Sequence, residues 1–173
     1  MKNKNVTFIT QAGVIAALYV VLTLLANALG LANYAIQVRF SEALTILPFF
    51  TPAAIPGLFV GCLLSNIITG CAPMDVVFGS LATLAGAVGT YQLRKYKWLT
   101  PVPPIVANII VVPLVLAYVY QFEGSLLYFA VTVGIGEIIS CGIFGMILLN
   151  VLNKNAHVLF HQFEGESAKR QIE

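Results

Sequence analysis

Long apolar stretches, divided by short polar or proline-containing breaks, fill the chain from about Phe8 to Asn153. A helix that crosses a bilayer needs about 20 apolar residues, with a range of roughly 17–25. Six segments follow: about Phe8 to Leu29, Phe40 to Phe50, Ala53 to Thr69, Asp75 to Leu93, Val102 to Tyr120 and Leu126 to Asn153. The second is short. Only Thr51-Pro52-Ala53-Ala54-Ile55-Pro56-Gly57 divides it from the third, so the two can also be drawn as one kinked region. Two prolines at that spacing stop a helix, because each lacks an N–H and its ring crowds the preceding turn. The pattern therefore predicts an all-α integral membrane protein. Residues 1–153 form a six-helix transmembrane domain and 154–173 a polar cytoplasmic tail. No internal repeat or low-complexity segment interrupts this pattern.

Composition supports the membrane reading. Of 173 residues, 59% are hydrophobic and 9% charged, and mean hydropathy is +0.91. A soluble domain carries about 25% charged residues, so too few remain to clothe a water-facing surface. No cleavable signal peptide is expected, since the first apolar stretch is long enough to span and only membrane segments follow. With six spans and a cytoplasmic N-terminus, Lys2, Lys4, Arg94, Lys95, Lys97, Lys154, Lys169 and Arg170 lie inside, eight of the nine Lys and Arg. Only Arg39 lies outside. This is the bias that translocation imposes, and a five-span chain would lose it. The basic residues form no stripe that would suit nucleic acid. Cys62, Cys71 and Cys141 lack CxxC spacing and read as small buried hydrophobes.

Against this background the rare polar groups stand out. A charged side chain at the centre of a helix in lipid costs roughly 2.5–3.5 kcal/mol on insertion scales. Arg39 and Glu42 nevertheless open the second segment three residues apart. Asn66 closes the third, Asp75 opens the fourth, Asn108 lies mid-depth in the fifth and Glu137 about halfway down the sixth. In the six-span topology most of these fall toward the outer side. One outward-open polar pocket is expected, with aromatic walls from Tyr34, Phe78, Tyr118 and Tyr128. Plainer roles stay open: an interfacial ion pair for Arg39 and Glu42, a helix cap for Asp75 and interhelical glue for Asn108. Glu137 is the hardest to explain structurally, because an intramembrane carboxylate is a functional candidate by default.

Ala12-x-x-x-Ala16, Gly13-x-x-x-Ala17 and Gly57-x-x-x-Gly61 give smooth helix faces that let a neighbour approach closely. No GxxxxGK[ST], HExxH or GxSxG occurs, and Gly134-Ile135-Gly136 does not complete GxGxxG. His157 and His161 have helical metal-ligand spacing but no obvious third ligand. Neither a catalytic residue nor a metal ligand set is expected, and the chain is not expected to be an enzyme.

Three stretches carry a resemblance. Arg-x-Ser-Glu-Ala-Leu over 39–44, Pro-Gly-Leu-Phe-Val-Gly-Cys-Leu-Leu-Ser-Asn over 56–66 and Asp-x-x-x-Gly-Ser-Leu-Ala-Thr over 75–83 look like the QueT family. That family resembles the substrate-binding S components of energy-coupling-factor (ECF) transporters, and the resemblance extends to about Asn153. It implies uptake of queuosine precursors, which are 7-deazaguanine bases, across a bacterial plasma membrane. It also implies partners: a transmembrane scaffold subunit, contacted through Ala12 and Ala16, and two ATPase subunits that hydrolyse ATP. No cofactor is then expected on this chain. Glu137, and next Glu42, would accept the base's paired N1–H and amine. Asn108, Asn66 or Arg39 would donate to its acceptors, and Asp75 would meet a cationic 7-aminomethyl group. An S component for another heterocyclic vitamin, a small membrane enzyme and an assembly subunit are the competing readings.

Overall fold

The computed structural model describes residues 4–31 and 38–154. The expectations for Tyr34 and for the tail from residue 155 onward lie outside them. Among the described residues the fold is helical, with no strand. Its α-helices are α1 (Lys4–Ala28), α2 (Ala54–Ile68), α3 (Pro73–Gln92), α4 (Val102–Tyr118), α5 (Leu126–Glu137) and α6 (Gly145–Lys154). A 3₁₀ helix runs over Phe40–Phe49, and a π-helical segment over Ile138–Phe144 joins α5 to α6. Four helical stretches are long and apolar enough to cross a membrane: Lys4–Ala28, Pro73–Gln92, Lys97–Tyr118 and Leu126–Lys154. The chain is accordingly a multi-pass membrane protein.

α1 contains neither proline nor an early glycine-rich break, and it is apolar nearly all round. Val14, Leu18, Val21 and Leu25 form an exposed stripe, while Ile15, Ala16, Tyr19 and Ala26 face the bundle. The helix stops at Gly30, whose φ is +73°. Leu31 N–H bonds to Ala26 C=O at 3.0 Å and Gly30 N–H to Asn27 C=O at 2.9 Å. Only a residue free to enter the left-handed region closes a helix this way. α2 ends identically at Gly70, with Cys71 N–H on Asn66 C=O and Gly70 N–H on Ile67 C=O.

The short second segment is not an α-helix. It forms a ten-residue 3₁₀ rod, far beyond the usual three or four residues. At a rise of about 2 Å per residue it covers roughly 20 Å, less than the hydrocarbon thickness. Burial holds it: every residue from Ser41 to Pro48 is buried, and the rod packs against α1, α2, α3, α6 and the π segment. Ile46 and Leu47 join Ile15, Tyr19, Leu58, Ala87 and Leu149 in the central core.

Small residues set the helix contacts. A Cβ on Gly57 would lie 2.7 Å from the Ala12 carbonyl oxygen, and one on Gly61 2.7 Å from Tyr19 Cβ. The Gly57–Gly61 face of α2 is thus filled by the Ala12–Ala16 face of α1. Gly86 and Gly89 of α3 receive Pro104 and Pro103 of α4 in the same manner.

Candidate functional site

A cavity of about 490 Å³ opens at one end of the bundle. The C-terminal ends of α1, α2 and α4 meet the N-terminal ends of α3 and α5 there, together with the start of the 3₁₀ rod. Arg39, Asn66, Asp75, Tyr120 and Glu123 supply much of its polar lining, and Val115, Phe122, Tyr128 and Phe129 much of its apolar lining. The basic residues Lys4, Arg94, Lys95, Lys97 and Lys154 all belong to the opposite end, with exposed Tyr96 and Trp98 beside them.

Local structure positions each group. Asn66 sits in the last turn of α2, where the Gly70 closure engages its carbonyl. Asp75 lies in the first turn of α3, behind Pro73, and its carboxylate suits the positive helix end. Tyr120 follows α4. Its hydroxyl donates to Asp75 Oδ2 at 2.9 Å and accepts the Ala72 N–H at 3.1 Å. Gln121, at φ 52°, turns the chain so that the Phe122 ring stacks on Tyr120, centroids 5.5 Å apart. Partial burial, with the Asp75 carboxylate nearby, pushes the Tyr120 hydroxyl up to about 12. Ser125 Oγ then accepts the Tyr128 N–H at 3.2 Å and starts α5.

A second polar layer lies beneath the cavity. Tyr19 is four residues below Thr23, Cys62 four below Asn66 and Asn108 four below Val112, a depth of about 6 Å on a helix. Glu137 is five residues below Thr132. Tyr19 Oη donates to Glu42 Oε1. The Asn108 amide approaches both Glu42 and Glu137. Thr45 Oγ1 donates to the Glu42 carbonyl at 2.6 Å, and Cys141 Sγ lies 3.2 Å from Glu137 Oε2. Glu42, Asn108 and Glu137 are 1%, 5% and 7% exposed.

The QueT transporter family matches residues 9–154 of this sequence. The chain belongs to the QueT transporter family. It is also similar to the "Queuosine precursor transporter QueT" of Lactococcus lactis subsp. cremoris (strain MG1363), at 34% identity over 98 residues. That match covers 56% of this chain and 57% of the relative, little more than half of either. No solved structure matches. The family is one of transporters, in agreement with the expectation that the chain is not an enzyme.

In this QueT-family chain the structure gathers only part of the expected pocket. Arg39, Asn66, Asp75 and Tyr128 line the cavity. Glu42, Asn108 and Glu137 come together, but in the layer beneath it. Phe78 does not reach it: it shares the exposed face of α3 with Met74, Val77 and Leu81. Tyr118 does not either, being 70% exposed, where an interfacial aromatic belongs. Ala16 is buried against α2, whereas Gly13 and Ala17 face outward. Sequence reasoning passed over Tyr120, Phe122 and Phe129, and also Tyr19 and Cys141. Tyr120 and Phe122 alternate with Gln121 and Glu123, a polar interruption that signalled a loop but no direction.

Proposed function

We propose that this chain is the substrate-binding S component of an ECF-type importer for a queuosine precursor. It captures a 7-deazaguanine base in the cavity and delivers it through a scaffold subunit and two ATPases. Six crossings, with both termini in the cytoplasm of a bacterium, fit the alternation of helix ends around the cavity. They also fit the basic residues clustered at the opposite end.

The cavity is the observation that carries this reading. Its volume of about 490 Å³ lies in the range of small-molecule sites, about 300–1,000 Å³, and its walls are mostly apolar with a few polar groups. A deazaguanine presents an N1–H and an amine side by side, which one carboxylate accepts together, and charge roughly doubles the strength of such bonds. Asp75 takes this role ahead of Glu137, because it lines the cavity and Glu137 lies beneath. Arg39 and Asn66 donate to the ring carbonyl and nitrogen. Glu123, at the exposed mouth, suits a cationic 7-substituent. Stacking on Tyr120, Tyr128 or Phe129 would add about 1–3 kcal/mol. The scaffold contact belongs to the outward small residues Gly13 and Ala17 rather than to Ala12 and Ala16, which pack against Gly57 and Gly61 of α2.

The test is a calorimetric binding screen on the detergent-purified chain. Its ligands are 7-aminomethyl-7-deazaguanine, 7-cyano-7-deazaguanine, queuine, guanine, riboflavin, thiamine and biotin. Saturable binding of a deazaguanine is expected. Binding of a vitamin alone overturns the substrate class, and binding of none by a folded sample overturns the S-component reading.

A further inference from the structure

Glu42, Glu137 and Cys141 converge in the buried layer in a way that ligand capture in the cavity above does not use. One ligand-type atom from each lies within 4.8 Å of the others, and all three residues are buried. We propose that these side chains form a binding site for a transition-metal ion of the zinc class.

The partners come from two elements that are fastened together. Glu42 stands in the first turn of the 3₁₀ rod. Glu137 ends α5 and Cys141 lies in the π segment, four residues on, the spacing that sets two ligands on one helix face. Arg39 N–H donates to Ser140 Oγ at 3.1 Å, and Cys141 Sγ lies 3.4 Å from the Glu42 carbonyl oxygen. Rod and helix are therefore held in register beside the cluster. A π turn inside a transmembrane helix often marks a functional position.

An independent observation points to a missing partner. Glu42 is 1% exposed, and Tyr19 occupies its Oε1. Its Oε2 is the buried side-chain polar atom left without a hydrogen bond among the described residues. Such an atom loses its hydration and gains nothing in return. A cation would satisfy it.

The donor set chooses the metal. A thiolate with two carboxylates suits zinc and its neighbours, whereas magnesium and calcium take oxygen alone. Zinc binds sulfur at about 2.3 Å and oxygen at about 2.0–2.2 Å in a tetrahedron. The three ligand atoms already lie within 4.8 Å of one another, and the fourth position is left to a water molecule or another small ligand. Each acid protonated beforehand releases its proton on binding.

The test uses the untagged full chain in detergent, stripped with a chelator and titrated with Zn²⁺ or Co²⁺ alone. About one ion per chain is expected, with a cobalt–thiolate charge-transfer band. Cys141→Ser should abolish the band, and Glu137→Gln should weaken Zn²⁺ binding at least tenfold. His157→Ala/His161→Ala should leave both intact. Absence of the cobalt–thiolate band from the native chain overturns the site, and this arm stands even if Cys141→Ser fails to fold. Binding that survives Cys141→Ser but vanishes with the two histidines overturns it as well. None of these readouts requires the chain to bind a deazaguanine.

Discussion

Tyr120 Oη sits 2.9 Å from Asp75 Oδ2 and ties the α4–α5 loop to the first turn of α3 across the cavity mouth. The same hydroxyl accepts the Ala72 N–H, so one group fixes both the carboxylate and the backbone before it. Tyr120→Phe removes the donor but keeps the ring that stacks on Phe122. A hydrogen bond to a charged group is worth about 1.5–3 kcal/mol, and partial solvent exposure reduces this. Base affinity should fall about threefold to tenfold by calorimetry, with the bundle still folded. Unchanged affinity would mean that Asp75 is positioned without Tyr120.

The same pair gives a pH dependence. The Tyr120 hydroxyl is held protonated up to about 12, first by burial and also by the Asp75 carboxylate, against an unfolded value near 10. A folded-state value raised above the unfolded one stabilises fully below the unfolded value. That stabilisation is lost as pH rises through the folded value. The thermal stability of the wild-type chain should therefore fall from about pH 10 to 12, and less so in Tyr120→Phe. Parallel curves for the two proteins would remove Tyr120 from the alkaline transition.

Asp75→Asn keeps the shape of the cavity and turns an acceptor-only group into a mixed donor and acceptor. Loss of a charge-assisted contact of about 1.5–3 kcal/mol corresponds to roughly 10- to 100-fold weaker binding of the base. Glu137→Gln, beneath the cavity, should cost less than Asp75→Asn in the same titration. The reverse order would show that the ligand reaches the buried layer.

How much of this was legible in the sequence depended on rarity. Arg39, Asn66 and Asp75 stood out because an apolar chain seldom carries such groups, and the alternation of helix ends brought them to one cavity. Tyr120 did not stand out, since a tyrosine near a helix end reads as an interfacial anchor, and Tyr19 was one aromatic within a long apolar segment. The 3₁₀ rod was hidden because a short apolar run ahead of two prolines reads as a brief α-helical span, whereas burial on several sides holds the tighter helix. The π turn leaves no mark in composition: only a shift in backbone bonding brings Ser140 and Cys141 against the rod. Depth was also lost. Glu137 and Thr132 lie on the same helix, and the five-residue step from one to the other separates the cavity from the layer below.

Gly61 tests the packing of α1 on α2. A Cβ there would sit 2.7 Å from Tyr19 Cβ and 3.0 Å from the Ala16 carbonyl oxygen, and neither can swing aside. Overpacking of this kind costs roughly 1–3 kcal/mol, more than the gain of about 1 kcal/mol from replacing glycine in a helix. Gly61→Ala should lower the unfolding temperature. Gly13→Ala, with nothing within 4 Å of the new methyl, should leave it unchanged or raise it. Equal behaviour of the two would mean that the helices do not meet along Ala12 and Ala16.

Ala17 separates capture from delivery. It is exposed, one turn along α1 from exposed Gly13, on a different face from buried Ala16. Small residues on an outward face allow another helix to approach closely, and a bulky side chain forces it away. Ala17→Leu should leave folding and base binding by the isolated chain unaltered, because nothing in the cavity touches that face. In cells carrying the scaffold and ATPase subunits it should cut uptake of the base at least tenfold, and it should reduce co-purification of the scaffold with the chain. Uptake that survives Ala17→Leu and also Gly13→Leu would place the partner on another face. Loss of binding by the isolated chain would mean instead that this face supports the fold.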